Sequence, residues 1–305
     1  MLSIVVNFFN NRREAENTLH SITRGYQKVQ PGIPYEVIAV DNGSSQPLSP
    51  DRVKAFGPEF RHRFVSTSSV SPVEAINAAC RDAAGDEILV IIDGAHILSP
   101  GILNRAMEAF SLFPSPFIAT VPFHLGPKHQ NQSVTEGYDQ VAEDQTLRQF
   151  DWKRNGYELF KLAGAFADAS GGWFGCLLES GCFGIRKNDY LTLGGFDERF
   201  QTPGGGLANL DFFNRALSRK PLDYVMLLGE GTFHQFHGGV ASNATPETHP
   251  WPEFDEEYRS IRGTPYQQVF RRPYQLGVIR NEVLHVVKTS AELGQGLWLK
   301  HGQDV

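Results

Sequence analysis

Three apolar runs early in the chain each end on polar residues, and amphipathic stretches separate them. Ser3-Ile4-Val5-Val6 leads to Asn10-Asn11, Tyr35 to Val40 leads to Asp41, and Glu87 to Ile92 stops at Asp93-Gly94. Between them, Ala15, Leu19 and Ile22 fall on one helical face, as do Val73, Ile76, Ala79 and Cys80 behind Pro72. His62 to Val65 reads as a weaker strand, and Ser99-Pro100-Gly101 as a helix start with Ser99 the N-cap. Strands of this kind alternating with helices predict an α/β fold, a mostly parallel sheet with helices on both faces. Ligands of such sheets gather at the carboxyl ends of the strands. Asn10, Asp41 and Asp93 stand there, which makes a nucleotide crevice the natural expectation.

Composition removes other classes. The chain of 305 residues carries a formal charge of −6, too acidic for a broad nucleic-acid surface. Arg12-Arg13 and Arg271-Arg272 read as solvated faces. The three cysteines, Cys80, Cys176 and Cys182, form neither a disulfide framework nor a C-x-x-C zinc pair. The apolar start is too short for a secretion signal, and no apolar run reaches the roughly 18 residues of a membrane span. A cytoplasmic protein is therefore expected, with self-association left open.

Residues 122–152 read as a polar surface excursion ending in a helix. Gly171 to Arg186 reads as loop and strand with an aromatic anchor, and residues 207–218 as a helix behind Gly204-Gly205-Gly206. Leu222 to Leu228 is a further strand. Beyond Pro250 the tail is mostly helical and charged, with Ile279, Val283 and Val286-Val287 available for docking. The expected division is a catalytic domain over 1–245 and a helical C-terminal extension over 246–305. Within that domain, a nucleotide-binding half spans about 1–120 and an acceptor half 121–245.

Five motifs occur in order: SIVVNFFNN, VDNGSS, AINAACRDAAGDEILVIIDGAHILSPG, FGIRKNDYLTLGGFDERF and NLDFFNRAL. Together they resemble the family 2 glycosyltransferases of GT-A fold, over roughly residues 1–240. The resemblance implies transfer of a sugar from a nucleotide-sugar donor, UDP-linked by expectation, to a saccharide, glycolipid precursor or other hydroxyl acceptor. It places Asp41 on the donor base, with Asn7, Phe9 and Asn77 also beside the donor. A carboxylate facing an imide N–H is a sensible discriminator, although an Asx turn would also explain Asp41. An arginine that relatives place before Asn77 is replaced here by Ile76.

Asp93 matches the first aspartate of the family's Asp-x-Asp metal motif. Ala95 stands where the second belongs, and His96 follows as its replacement. A metal on the diphosphate neutralises the leaving group, and imidazole ligands favour manganese over magnesium. His234 and His237 are further candidate ligands. In an extended segment they would point to opposite faces, so one of them is expected to reach the metal. The family's catalytic base falls on Asn209, which cannot take a proton, so Asp211 and then Glu179 are the candidate bases. Asp211 has a plainer reading as an i,i+4 ion pair with Arg215, and Trp173 either stacks on the acceptor or packs in the core. These departures also suit a nucleotide-sugar-binding protein without catalysis. A metal-dependent hydrolase or nucleotidyltransferase is the weaker rival.

Overall fold

The computed structural model describes residues 1–126, 128–163, 171–245 and 248–301. The expected boundary between 245 and 246 abuts residues 246–247, which lie outside them. The first half runs β1 (Leu2–Phe8), α1 (Arg12–Ile22), α2 (Arg24–Gln27), β2 (Tyr35–Asp41), α3 (Pro50–Lys54), β3 (Phe60–Phe64) and α4 (Val73–Asp82). It continues through β4 (Glu87–Ile91), β5 (His96–Leu98), α5 (Ile102–Leu112) and β6 (Pro116–His124). Then come α6 (Gln130–Thr135), α7 (Gln140–Leu147), β7 (Cys182–Arg186), α8 (Lys187–Thr192), α9 (Ala208–Ser218) and β8 (Asp223–His234). The chain closes with α10 (Trp251–Arg262), β9 (Tyr274–Gly277) and α11 (Leu284–His301).

One sheet takes up all these strands in the order β3-β2-β1-β4-β7-β6-β8-β5, with β9 also on β8. The β3-β2-β1-β4 half is parallel, and β7 enters antiparallel between β4 and β6. The period-two alternation of β1, β2 and β4 explains why both faces are covered. Val5, Ile38, Val40, Ile88 and Val90 meet α4 in one core. Their neighbours Ile4, Val6, Val37, Ala39, Leu89 and Ile91 meet α1 and α5 in the other.

Two local expectations need correcting. Ser99 does not cap α5, whose N-cap is Gly101 without a side-chain bond. The Ser99 hydroxyl instead donates to the buried carboxylate of Glu230 and accepts from Gly231 N at 3.0 Å. The tail is also more than a helical extension, because β9 pairs in parallel with Val225 to Leu228 of β8. Phe254, Tyr258, Val283 and Val286 are buried in the same core as the sheet.

Candidate active site

Asp93 follows β4 in a turn that only glycine permits at the next position. A Cβ on Gly94 would lie 2.0 Å from the Phe8 ring, and Gly94 N donates to Asn7 O at 2.6 Å. The two carboxylate oxygens of Asp93 divide their work. Oδ1 accepts from Asn11 Nδ2 at 2.7 Å and from Ala95 N at 3.0 Å, which fixes the turn. Oδ2 faces His237 Nε2 at 2.9 Å and His234 Nε2 at 3.4 Å.

Both histidines therefore reach Asp93, against the expectation that one would. The strand stops at His234, and the chain turns before His237, so the period-two rule no longer separates their faces. Their Nε2 atoms are 3.1 Å apart. The turn between them is clamped. Arg13 donates to Phe236 O at 2.7 Å, Glu143 accepts from Phe236 N at 2.7 Å, and Gln235 N reaches Ala95 O at 2.8 Å.

Asp93, His234 and His237 bring one ligand atom each within 4.8 Å of one another. The tautomer of His234 suits a metal. Its Nδ1 lies 2.7 Å from Gln130 Oε1, while Gln130 Nε2 donates to Asn243 Oδ1 at 2.6 Å, which fixes the amide's orientation. Nδ1 thus carries the proton, and the lone pair is on Nε2, facing Asp93. One carboxylate oxygen and two imidazole nitrogens form a set that fits manganese or another transition ion. Replacing Gln130 with alanine frees the ring and its tautomer. We expect manganese affinity to fall about 10–100-fold, measured by calorimetry, with the fold kept.

Burial pushes the Asp93 carboxyl up, but the pairing with His237 outweighs it and holds it well below the usual carboxylate range. Burial lowers His237, yet Asp93, Glu14 and Glu143 raise it overall. Without a metal, His237 and Asp93 therefore tend toward an ion pair, and a metal must displace that proton.

His96 stands beside this trio and not within it. Its Nδ1 lies 3.0 Å from Asp93 O, and its ring packs edge-on to His234 at 4.9 Å. Burial, and then His234, bring it down to about 4, so it is neutral at ordinary pH. His96, His234 and His124 share one row across β5, β8 and β6. His96 thus supports the His234 ring where the sequence suggested a replacement ligand.

Other expected residues divide sharply. Asn7, next to last in β1, lies beside the Asp93 turn with a buried Oδ1 that has no partner, while Phe9 beyond the strand is exposed. Asp41 is fully buried, and its oxygens accept from Ser44 N at 2.9 Å and Leu48 N at 2.8 Å. It is the Asx-type turn and does not face a donor base. Asn77 is saturated from within. It donates to Phe196 O and Glu198, and it accepts from Tyr190 Oη and Phe196 N, which leaves nothing for a donor.

Trp173 is fully buried against Phe123 and Phe160, and its indole N–H donates to Glu230 O at 2.8 Å. It is a core residue and cannot stack on an acceptor. Asp211 is also closed off. Arg262 grips it through Nε at 2.6 Å and Nη2 at 2.7 Å, and Arg215 Nε adds 2.8 Å. Both oxygens are taken by guanidiniums, so Asp211 has no place for an acceptor proton. Glu179 is half-buried and accepts a hydrogen bond from Asn209 Nδ2.

Sequence reasoning missed Arg13, Gln130 and Glu143. The last two lie in the excursion read as surface, yet Gln130 and Glu143 are buried. One signal was available. Asp139 caps α7 by accepting from Ala142 N at 2.9 Å, a helix start readable from the sequence. The partners of Glu143, at residues 13 and 236, carry no local signature.

Residues 3–177 match the profile of Glycosyl transferase family 2, and the chain belongs to that family of nucleotide-sugar glycosyltransferases. Comparison with curated protein sequences gives no match. Among solved structures, TarS 1–349 of S. aureus in complex with UDP-GlcNAc is similar over 99% of this chain and 73% of that one. The TM-score is 0.54 at 14% identity. Longer TarS is similar over 98% of this chain and 43% of that one, with TM-score 0.53 at 14% identity. At such identity the likeness is one of fold: a GT-A arrangement with a C-terminal helix. No helix among the described residues is long and apolar enough to cross a membrane.

Proposed function

We propose that the protein transfers a sugar from a UDP-linked donor to a hydroxyl acceptor, a saccharide or a glycolipid precursor, with inversion at the sugar carbon. The observation that carries this reading is the convergence of Asp93, His234 and His237 at the carboxyl ends of β4 and β8. These three would hold a divalent ion, manganese in preference to magnesium. Such an ion, when bound, neutralises the charge of the departing diphosphate.

The chain's own groups do the rest. Asn7 offers a buried acceptor beside the Asp93 turn, ready for an N–H or O–H of the donor, and Phe9 offers an exposed ring. Asp41 shapes the loop under the nucleotide without touching it. Glu179 is the base. Its carboxylate takes the acceptor's hydroxyl proton as the acceptor oxygen bonds to the sugar carbon. The bond from that carbon to the diphosphate breaks, and its electron pair leaves with the nucleoside diphosphate.

Calorimetric titration with UDP, GDP and dTDP, each with and without manganese, tests the donor side. The expected result is manganese-dependent binding of UDP, weakening as pH falls because His237 must lose its proton. Indifference to manganese for all three nucleotides would sink the reading.

A further inference from the structure

We propose that Asn209 is the positioning residue for Glu179, holding its carboxylate charged and aimed for proton abstraction. This rests on the reading of Glu179 as the base. Asn209 sits in the first turn of α9, yet it does not cap that helix, which has no side-chain cap bond. Its Nδ2 donates to Glu179 Oε2 and lies 3.4 Å from Ser180 O. Its Oδ1 is buried and has no partner. An unmet buried acceptor costs about 1–3 kcal/mol. An amide kept at that cost is kept for its N–H, and the N–H meets Glu179.

The rest of the segment is fixed. Ser180 Oγ donates to Thr120 O at 2.8 Å or Cys182 O at 2.7 Å. Gly181 O accepts from Ile92 N at 3.1 Å. A Cβ on Gly181 would lie 3.0 Å from His96 Nε2, so this backbone runs against the flank of the Asp93 corner. Glu179 thus stands two residues before the backbone that packs on His96, beside Ser180 anchored to β6, and Asn209 donates to its carboxylate.

The identity of residue 209 follows from charge. An N–H donated to a carboxylate favours the ionised form, whereas a second carboxylate at the same distance would disfavour it. One titratable group coupled to Glu179 is Tyr266, from the segment after α10. Burial and then Glu179 raise its phenol, so Tyr266 stays neutral.

The test uses the full chain with manganese, reading UDP released as the sugar of UDP-N-acetylglucosamine passes to water, the hydroxyl acceptor supplied, together with UDP binding by calorimetry. Glu179→Gln should lower turnover about 10²–10⁴-fold. Asn209→Ala should lower kcat at least tenfold, with donor KM and UDP binding unchanged. Asn209→Asp, nearly isosteric, should move the acid limb of the kcat profile to higher pH and recover activity in alkali. Thermal unfolding confirms that the variants fold. Wild-type chain that neither binds nor turns over the donor would overturn the donor reading itself. Active wild type, with Asn209→Ala and Asn209→Asp profiles superimposed on it, would overturn the positioning role alone.

Discussion

Asp93→Ala should abolish the manganese dependence of nucleotide binding and cut sugar transfer about a thousandfold. That factor corresponds to about 4 kcal/mol, the scale on which a bound metal stabilises a departing diphosphate. One oxygen of this carboxylate faces both histidines, and the other holds the turn through Asn11 and Ala95 N. Alanine removes both roles. Asp93→Asn separates them, because its amide oxygen still accepts from Ala95 N while the charge beside His237 is gone. Asparagine should therefore keep the turn and the fold, at a stability cost from the lost His237 pairing, and still lose metal-dependent binding. Equal affinity for UDP with and without manganese in wild type and variant alike would remove Asp93 from the metal site.

The second large effect is on stability. Asp211→Ala leaves Arg215 without its carboxylate and Arg262 with Asp197 alone, at 3.0 Å. Removing one partner of a buried ion pair costs about 3–5 kcal/mol. The guanidiniums keep roughly a quarter of their exposure, so a loss of about 2–4 kcal/mol is expected after screening. Urea unfolding would measure it. In protein that remains folded, turnover per molecule should stay within severalfold of wild type. A soluble, fully folded Asp211→Ala chain with turnover reduced a thousandfold would restore Asp211 as the base.

The sequence carried the sheet clearly, since β1, β2 and β4 are buried on both faces and each holds an apolar run of at least three residues. It also carried Asp93, a carboxylate at a strand end just before a glycine. Less visible was anything set by contacts between distant segments. Arg262 meets Asp211 from 51 residues away, and nothing local marks either as the other's partner. His234 and His237 were separated by assuming a strand that stops between them. Trp173 was placed by its neighbours in sequence, whereas Phe123 and Phe160 decide its burial. β9 escaped notice because its four residues, Tyr-Gln-Leu-Gly, are too few to show a period, and its pairing with β8 is made far away in sequence.

The clamp on Phe236 ties the Asp93 corner to the order of synthesis. Arg13 and Phe236 are 223 positions apart, and Gln235 also holds Glu14 O and Thr18 across a similar span. Contacts so remote in sequence close late. On a ribosome that extends the chain by about 5–20 residues each second, the β1–β4 half exists well before residue 237 emerges. Asp93 is then in place without either histidine, so a chain released early would carry the crevice without its proposed metal-binding corner.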